Sequence, residues 1–467
     1  MGANPPIKLS TPAASPGGMI STAGTRWDTI AAIATPPGRG GIAVVRLSGK
    51  QALAFAESII ATPVKLEPRQ VSLAKLTDPQ TSRLVDQALV TYFKGPASYT
   101  GEDVIEFSCH GGSVTARLIV ALLVRNGAAH AQPGEFSLRA YLNGKLDLTE
   151  AEAVNDLTSA ISKRGQNAAI KNLSGALRDT INSVRSDLLN LVTILEHELD
   201  FSEDEIDVSS TQQIAGALDE ALIVLRRLHA TAPYGKMIRD GVRVVIIGSP
   251  NAGKSSLFNA MLGRERAIVT PTAGTTRDTL EGWIEIDGYP LCLVDTAGLR
   301  PTDDEIEIES IKRSKRALEE ADIAVLLDPE NPTSSFYGTI VPNGIITLYI
   351  KSKADLEQAG NEPVEGIPAS VIEPDGLSRF RAELKRALSG FEPEMTTGII
   401  ASDRQEQNIT QAIQQLDQAK RILETGETID IIAAEVRLAL AVLSEIIGET
   451  SNEAILEKIF SEFCVGK

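Results

Sequence analysis

Short apolar runs separated by glycine and proline occupy residues 28–147. Three of these runs, at 41–47, 88–93 and 104–107, are predicted as strands, and a helical pattern covers 116–123. Strands and helices that alternate in this way predict a compact α+β domain. Residues 1–27, rich in proline, serine, threonine, glycine and alanine, are predicted to be a disordered extension in front of it.

Two later regions, 148–235 and 396–467, have the 3.6-residue period of amphipathic helices. One apolar stripe consists of Leu188, Leu191, Val192, Leu195 and Leu199, and another of Ile432, Val436, Leu440, Leu443 and Ile447. Neither half has an obvious second surface against which to bury its stripe. The economical interpretation is one discontinuous helical domain built from both halves, with residues 236–395 inserted between them.

The inserted segment begins with an apolar strand that leads into a glycine loop, Gly248-Ser249-Pro250-Asn251-Ala252-Gly253-Lys254-Ser255, and then into a helix. This order is typical of a phosphate-binding loop, because inward-turned N–H groups and the positive end of the helix attract phosphate. Lys254 is expected to reach the outer phosphates, and the Ser255 hydroxyl to ligate Mg²⁺. The nucleotide-binding residues predicted in this loop are Asn251, Ala252, Gly253, Lys254, Ser255 and Ser256.

Two further nucleotide-site elements follow in the order expected of a switch GTPase. Residues 274–278, Gly-Thr-Thr-Arg-Asp, lie where a switch loop is expected, and Thr276 is a candidate second hydroxyl ligand of Mg²⁺. An apolar strand then ends in Asp295-Thr296-Ala297-Gly298. Asp295 is expected to hold Mg²⁺ through its water shell, and the Gly298 N–H to sense the γ-phosphate.

Between these elements, Asp287-Gly288 separates two strand-like runs and predicts a β-hairpin. A hairpin at this point is the Ras-like arrangement and not that of a generic ATPase. The base-reading element is Lys351-Ser352-Lys353-Ala354-Asp355, in which Asp355 can accept paired N–H bonds that guanine offers and adenine does not. Ser352 stands where this motif normally has asparagine, and the later Ser-Ala-Lys-like loop is represented only by Ala369-Ser370-Val371.

Composition narrows the possible partners. The 467 residues carry a net charge of −17 and no lysine or arginine tract, so the chain is not a stand-alone nucleic-acid clamp. Three cysteines without a CxxC pair indicate neither a disulfide framework nor a zinc cluster. No apolar run approaches the ~18 residues of a membrane span, so no membrane association is expected.

Several segments together resemble the tRNA-modification GTPase family MnmE (also TrmE). In the N-terminal domain these are residues 28–41, Gly101 to Glu106 with His110-Gly111-Gly112, Pro133 to Phe136, and Asn143 to Leu148. Pro250 to Ser256, Gly274 to Asp278 and the terminal Phe463-Cys464-Val465-Gly466-Lys467 are similar to the remaining signatures. The resemblance extends from residue 28 to residue 467.

The resemblance implies a multidomain α+β and α/β protein. Its expected parts are an N-terminal α+β dimerisation and folate-binding domain (28–147), a discontinuous helical domain (148–235 and 396–467, the second half ending in the cysteine motif) and an inserted Ras-like P-loop G domain (236–395). It also implies a K⁺-dependent GTP hydrolase. With the flavoprotein MnmG, this enzyme would install 5-carboxymethylaminomethyl or aminomethyl groups on tRNA wobble uridine 34. The expected protein is a cytoplasmic homodimer, although organellar targeting stays open.

The resemblance also assigns site residues. A reduced folate, 5-formyl- or methylene-tetrahydrofolate, would be bound by Arg46, Glu106, Lys145 and Lys467. Arginine and lysine suit the glutamate carboxylates of a folate, and Glu106 can accept paired N–H bonds from the pterin edge. K⁺ would lie on Asn251, Thr270, Thr272 and Thr275, of which Thr270 and Thr275 also belong to the GTP site. Because Leu299 replaces the water-positioning glutamine of Ras-like enzymes, the family position assigns catalysis to Glu307.

The residues themselves leave alternatives open. Glu307 lies in an acidic run that is otherwise typical of a solvated face. His110 is either a metal ligand or, more in keeping with the absence of partners at metal spacing, a turn residue. For the whole chain, the rivals are a GTP-switch factor for ribosome assembly and a folate-binding scaffold whose GTPase is weakened.

Overall fold

The computed structural model describes residues 28–61, 64–112, 114–201, 208–267, 280–296, 314–356, 365–390, 392, 398–426, 428–450 and 452–467. The predictions made for residues 1–27 and for Thr270, Thr272, Thr275, Thr276, Ala297, Gly298 and Glu307 lie outside these residues. The chain divides into two compact units, Met1–Asp147 with Ser451–Lys467, and Leu148–Thr450.

The first unit is built on a six-stranded sheet in the order β3-β4-β5-β2-β1-β6. Neighbouring strands are antiparallel except β1 and β6. One face packs on helices α1 and α2 through residues such as Val45, Ile105 and Phe107. The strands are β1 (Ile30–Ile33), β2 (Ile42–Ser48), β3 (Val71–Thr77), β4 (Leu84–Phe93), β5 (Val104–His110) and β6 (Ala129–His130), and the helices are α1 (Ala52–Ser58), α2 (Thr115–Arg125) and α3 (Glu135–Leu142).

In the second unit, long helices share an apolar core that joins both halves of the predicted helical pattern, from Leu177 to Ile447. The stripe prediction for α6 is wrong at Leu199, which is 41% exposed, whereas Leu188, Leu191 and Leu195 are buried. The helices are α4 (Leu148–Ser159), α5 (Lys163–Leu173), α6 (Ala176–Phe201), α7 (Val208–His229), α8 (Ala232–Asp240), α9 (Lys254–Arg264), α10 (Ser378–Ser389), α11 (Asp403–Thr425) and α12 (Ile429–Ile447). None of these described helices has both the length and the apolar composition to cross a membrane.

The inserted segment forms a seven-stranded sheet in the order β13-β12-β11-β7-β10-β9-β8. Strands β7, β10, β11, β12 and β13 pair in parallel, and β9 pairs antiparallel with β10 through the turn at Asp287-Gly288. Both turn residues have positive φ, 52° and 86°, as a tight hairpin turn requires. The predicted Ras-like fold class is therefore confirmed. The strands are β7 (Val242–Gly248), β8 (Arg266–Ala267), β9 (Leu280–Ile286), β10 (Tyr289–Asp295), β11 (Ile323–Asp328), β12 (Ile346–Lys351) and β13 (Ile367–Pro368).

The C-terminal segment packs with the first unit. It consists of residues 452–467 and contains helix α13 (Glu453–Ser461). Helix α12 ends at Gly448 in the left-handed conformation, so the bundle stops there. Phe460 then packs against Tyr141 and Phe463, with ring centroids 6.3 and 5.2 Å apart, and Val465 bridges to Pro133. These aromatic contacts lie within the first unit and hold the terminus there.

The chain returns from the inserted segment through residues 399–401, which contact α5 and α8. The side-chain amide of Asn172 donates to Ile399 O (2.7 Å) and accepts from Ile399 N (3.1 Å), so it pairs with that backbone as a neighbouring strand would. Ile400 N donates to Thr231 Oγ1 (3.0 Å). At Gly235 a Cβ atom would lie 1.8 Å from Ile400 O, so a side chain there would displace the crossing segment.

We predict that Asn172→Ala lowers the free energy of unfolding of the second unit by about 2–5 kcal/mol, because it leaves one buried donor and one buried acceptor unpaired. Urea unfolding followed by circular dichroism at the helix band measures this. The control is Asn167→Ala, which removes the same amide from an exposed position of α5. Equal urea midpoints for the two variants would contradict the structural role of Asn172.

Candidate functional site

The glycine loop between β7 and α9 has the backbone that phosphate binding needs. Asn251 and Gly253 have positive φ angles of 59° and 93°, so the loop turns twice before α9 begins. At Gly248 a Cβ atom would lie 2.0 Å from Leu327 O, so only glycine allows β7 and β11 to approach there. The loop therefore ends at a helix N-terminus, where the helix dipole and free N–H groups favour an anion.

Lys254, the first residue of α9, folds its ammonium back into this loop. Its Nζ donates to Gly248 O (2.9 Å) and Ser249 O (2.8 Å). Burial lowers the pKa of Lys254, and the nearby Asp295 carboxylate partly opposes this effect. A partly buried cation whose hydrogen bonds go to neutral carbonyls is stabilised by added negative charge, which a phosphate would supply.

The candidate magnesium ligands are adjacent. Strand β10 runs parallel to β7 and places Asp295 opposite Ile246. Ser255 Oγ donates to Asp295 Oδ2 at 2.7 Å, and Thr296 Oγ1 donates to Ile246 O at 2.9 Å. Hydroxyl and carboxylate oxygens are the ligands that Mg²⁺ prefers, so the pair Ser255 and Asp295 fits this ion. Thr276, the third predicted contributor, lies outside the described residues.

A cavity of about 280 Å³ opens beside the loop. Ser370 Oγ donates to Asp355 Oδ1 (2.7 Å) and accepts the N–H groups of Ile372 (3.2 Å) and Glu373 (3.3 Å), so Asp355 is held at its rim. In the sequence, the Ser-Ala-Lys-like loop that contains Ser370 is only weakly recognisable. The signal for Ser370 is its position just after β13. The cavity is lined by Ala252, Gly253, Ser256, Leu257, Leu327, Ile350, Ser352, Lys353, Asp355, Leu356, Ala369, Val371, Ile372 and Leu377.

Ser352 is buried in the wall of this cavity. Its backbone N–H donates to Asp328 O (3.1 Å), but its Oγ is buried and has no hydrogen-bond partner among the described residues. A buried hydroxyl without a partner is costly, at about 1–3 kcal/mol. A polar ligand atom in the cavity would relieve that cost, so the site fits a base with an acceptor at this point.

In the first unit, the structure brings together three of the four predicted folate residues. Arg46 and Glu106 are opposite each other on β2 and β5 and form an ion pair of 2.8 Å. Arg46 Nη1 also donates to Gly466 O (3.2 Å), and Lys467 O accepts from Phe136 N (3.1 Å), which anchors the terminus beside them. Burial lowers the pKa of Lys467, with Cys464 opposing and Arg46 reinforcing the shift.

Lys145, the fourth predicted folate residue, lines a separate basin on the same face of the six-stranded sheet. Tyr99, which the sequence analysis missed, connects the two places: its ring centroid is 5.5 Å from Arg46 Cζ, and both Tyr99 and Lys145 line the basin. Burial raises the pKa of Tyr99, although Ser137 and Arg46 oppose the shift. Its position two residues before the segment Gly101 to Glu106, which carries the family resemblance, was the available signal.

His110, left open above, ends β5 with its ring Nδ1 2.7 Å from Asp86 Oδ1. Within the described ranges no group of three or more histidine, cysteine, aspartate or glutamate side chains is arranged to hold a metal ion. The structure therefore places His110 at the last position of a strand, beside a carboxylate, and not in a turn.

Comparison with known proteins covers nearly the whole chain. The family described as "MnmE helical domain" matches residues 148–464, and "GTP-binding protein TrmE N-terminus" matches residues 29–145. Proteins named tRNA modification GTPase MnmE are 39% identical in Symbiobacterium thermophilum over 460 residues, 39% in Coxiella burnetii over 451 and 40% in Erwinia tasmaniensis over 454. Each alignment covers 94% of this chain and 99% of the relative. The chain therefore belongs to the MnmE family of tRNA modification GTPases.

Proposed function

We propose that this chain binds and hydrolyses GTP, and that hydrolysis drives modification of tRNA. The observation that carries the proposal is the 2.7 Å contact between Ser255 and Asp295 next to Lys254, in a loop whose neighbouring residues Gly253 and Ser256 line the same cavity as Asp355. Candidate contacts for the phosphates (Lys254), the metal (Ser255 and Asp295) and the base (Asp355) are thus available in one region.

Asp355 supports guanine as the base. Its half-buried carboxylate can accept the N1–H and N2–H groups of guanine, whereas adenine would leave it without those donors. Ser370 holds one carboxylate oxygen in place through its hydroxyl. Lys353, with φ at 57°, and Ser352 complete the wall against which the base would lie.

Ser255 and Asp295, with Thr276, would hold Mg²⁺, which neutralises charge on the phosphates when bound. For the hydrolytic step we propose Glu307 as the residue that orients water, since Leu299 cannot do so. The GTP site would further include Thr270, Thr275, Thr276, Thr296, Ala297 and Gly298. We propose K⁺ on Asn251, Thr270, Thr272 and Thr275, where it would replace the charge of an arginine finger.

The first unit supports the folate proposal. The Arg46–Glu106 pair and the neighbouring Lys467 present carboxylate-binding and pterin-binding groups to one site. We propose that a reduced folate there supplies the carbon for wobble-uridine modification, in a cytoplasmic complex with a flavoprotein (MnmG). A ribosome-assembly switch, the main rival, would have no use for this pair.

Homodimerisation through the first unit is part of the proposal. Strands β3 and β4 at the open edge of the sheet expose large apolar side chains, with Val71 61%, Leu73 59%, Leu84 55% and Leu89 43% exposed. Leu73 and Leu89 lie directly opposite each other, and exposed apolar pairs on an edge hairpin favour a covered surface. A second copy of the chain would cover them.

The first prediction concerns the cation. GTP turnover should be faster in K⁺ than in Na⁺, and Asn251→Gly should abolish that difference while GDP binding persists. Glycine keeps the backbone at φ 59° without strain, so only the amide ligand is lost. Phosphate release measured in the two salts tests this, with Asn259→Ala, an exposed amide on α9, as control. Equal turnover of the unaltered chain in both salts would refute it.

The second prediction concerns the base pocket. Asparagine can bond both the purine N7 and the surrounding loop, whereas serine reaches only one of them. Ser352→Asn should therefore tighten GTP binding by about three- to tenfold, the equivalent of one hydrogen bond. Titration against a fluorescent guanine nucleotide measures the affinity, and ATP should fail to displace it from either form. Displacement by ATP, or no gain from asparagine, would show that the assignment is wrong.

The third prediction concerns the terminus. Deleting residues 464–467 removes the carbonyl that Arg46 Nη1 binds and the Lys467 ammonium, so reduced-folate binding should weaken while GTP hydrolysis is unchanged. Because Val465 also bridges to Pro133, full-length Lys467→Gln separates loss of charge from loss of docking. Calorimetry that finds full affinity in both variants would exclude the terminus from the folate site.

A further inference from the structure

An open basin of about 600 Å³ lies on the outer face of the six-stranded sheet in the first unit. Thr91 and Phe93 of β4 form its floor, since the residues that alternate with them, Val90 and Tyr92, pack in the core on the opposite face. Two cations, Arg69 and Lys145, and no carboxylate are among its lining residues, although the chain carries a net charge of −17. The remaining lining residues are Ala97, Ser98 and Tyr99.

Arg69 is held at the rim by its backbone. Its φ of 63° is unusual for a side-chain-bearing residue, and such a conformation costs on the order of 1 kcal/mol. Two bonds offset this cost: Arg69 N donates to Tyr92 O (2.7 Å), and Nη2 donates to Ala97 O (3.1 Å). Within the described part of the chain, no carboxylate lies within ion-pair distance of the Arg69 guanidinium. Its positive charge is therefore available to an anion in the basin.

The basin adjoins the Arg46 site, and Tyr99 lies between the two. The Tyr99 hydroxyl hydrogen-bonds to Ser137 Oγ (2.8 Å), which fixes the ring between Arg46 and the basin. On the far side, Lys145 packs close to Gly101, with its Cγ 3.4 Å from where a Cβ would lie. A ligand bound at Arg46 and Glu106 could thus extend past Tyr99 towards Lys145 and Arg69.

We propose that this basin binds the γ-linked glutamate residues beyond the first in a polyglutamylated reduced folate. The inference rests on the proposed folate function and deepens it by naming the substrate class. Each added glutamate brings one carboxylate, the group that arginine and lysine bind best. An open basin suits a flexible tail whose methylene groups lie along Phe93 and Tyr99, whereas the pterin needs the more enclosed Arg46–Glu106 end.

Calorimetry with the full chain compares 5-formyltetrahydrofolate carrying one glutamate with the same compound carrying three. The triglutamate should bind about three- to tenfold tighter at low salt, as expected for a few partly exposed ion pairs, and the advantage should shrink as salt rises. Arg69→Gly, which suits the positive φ, should remove most of the advantage and leave monoglutamate binding unchanged. Arg69→Lys should keep at least half of it.

Arg83→Ala is the matched control, since it removes one positive charge from an exposed position at the other end of the same hairpin. It should not change the preference for the triglutamate.

Equal binding of both folates, or an equal effect of Arg83→Ala and Arg69→Gly, would overturn the tail subsite and leave the folate proposal standing. Failure of both folates to bind would remove the folate site itself. If Arg69→Gly weakened binding of unmodified tRNA and not of the triglutamate, the basin would be a nucleic-acid contact.

Discussion

The constraint on which the second unit depends is the crossing of residues 399–401. A domain inserted within another must bring its ends together, and the returning segment is buried backbone whose polar groups need partners. Asn172 and Thr231 supply those partners, and Gly235 leaves room for the Ile400 carbonyl. Consecutive side chains then serve different cores: Ile399 packs with the seven-stranded sheet, and Ile400 with the helical bundle.

This crossing makes the sheet and the helices one packed structure. Tyr234 and Ile238 of α8 lie in the same core as β7 and β10. Strand β10 begins at Tyr289, whose ring lies 4.2 Å from Arg164 Cζ on α5, and ends at Asp295, which binds Ser255. At about 3.3 Å per residue the two ends are ~20 Å apart. A shift of this strand at the nucleotide site therefore has to be accommodated against α5.

A feature could be predicted from the sequence when the residues that decide it are close together along the chain. The glycine loop and the Asp287-Gly288 hairpin are local, because a few adjacent backbone angles decide them, and both were predicted. The packing of residues 452–467 depends on aromatic contacts with Tyr141, more than 300 positions earlier, which no local pattern in the sequence shows. Arg69 and Tyr99 were missed for the same reason: only the folded sheet shows that they share a basin with Lys145.

The two anion-binding places differ in how they hold charge. Lys254 is partly buried against neutral carbonyls, so its attraction to phosphate acts through a low dielectric and is little screened by salt. Arg69 is exposed, and its field falls off within a Debye length. A strongly acidic chain can therefore bind a nucleotide tightly by burial. An open basin on such a chain needs a lining without carboxylates, as this basin has. A single carboxylate would cancel half of the positive charge that Arg69 and Lys145 supply.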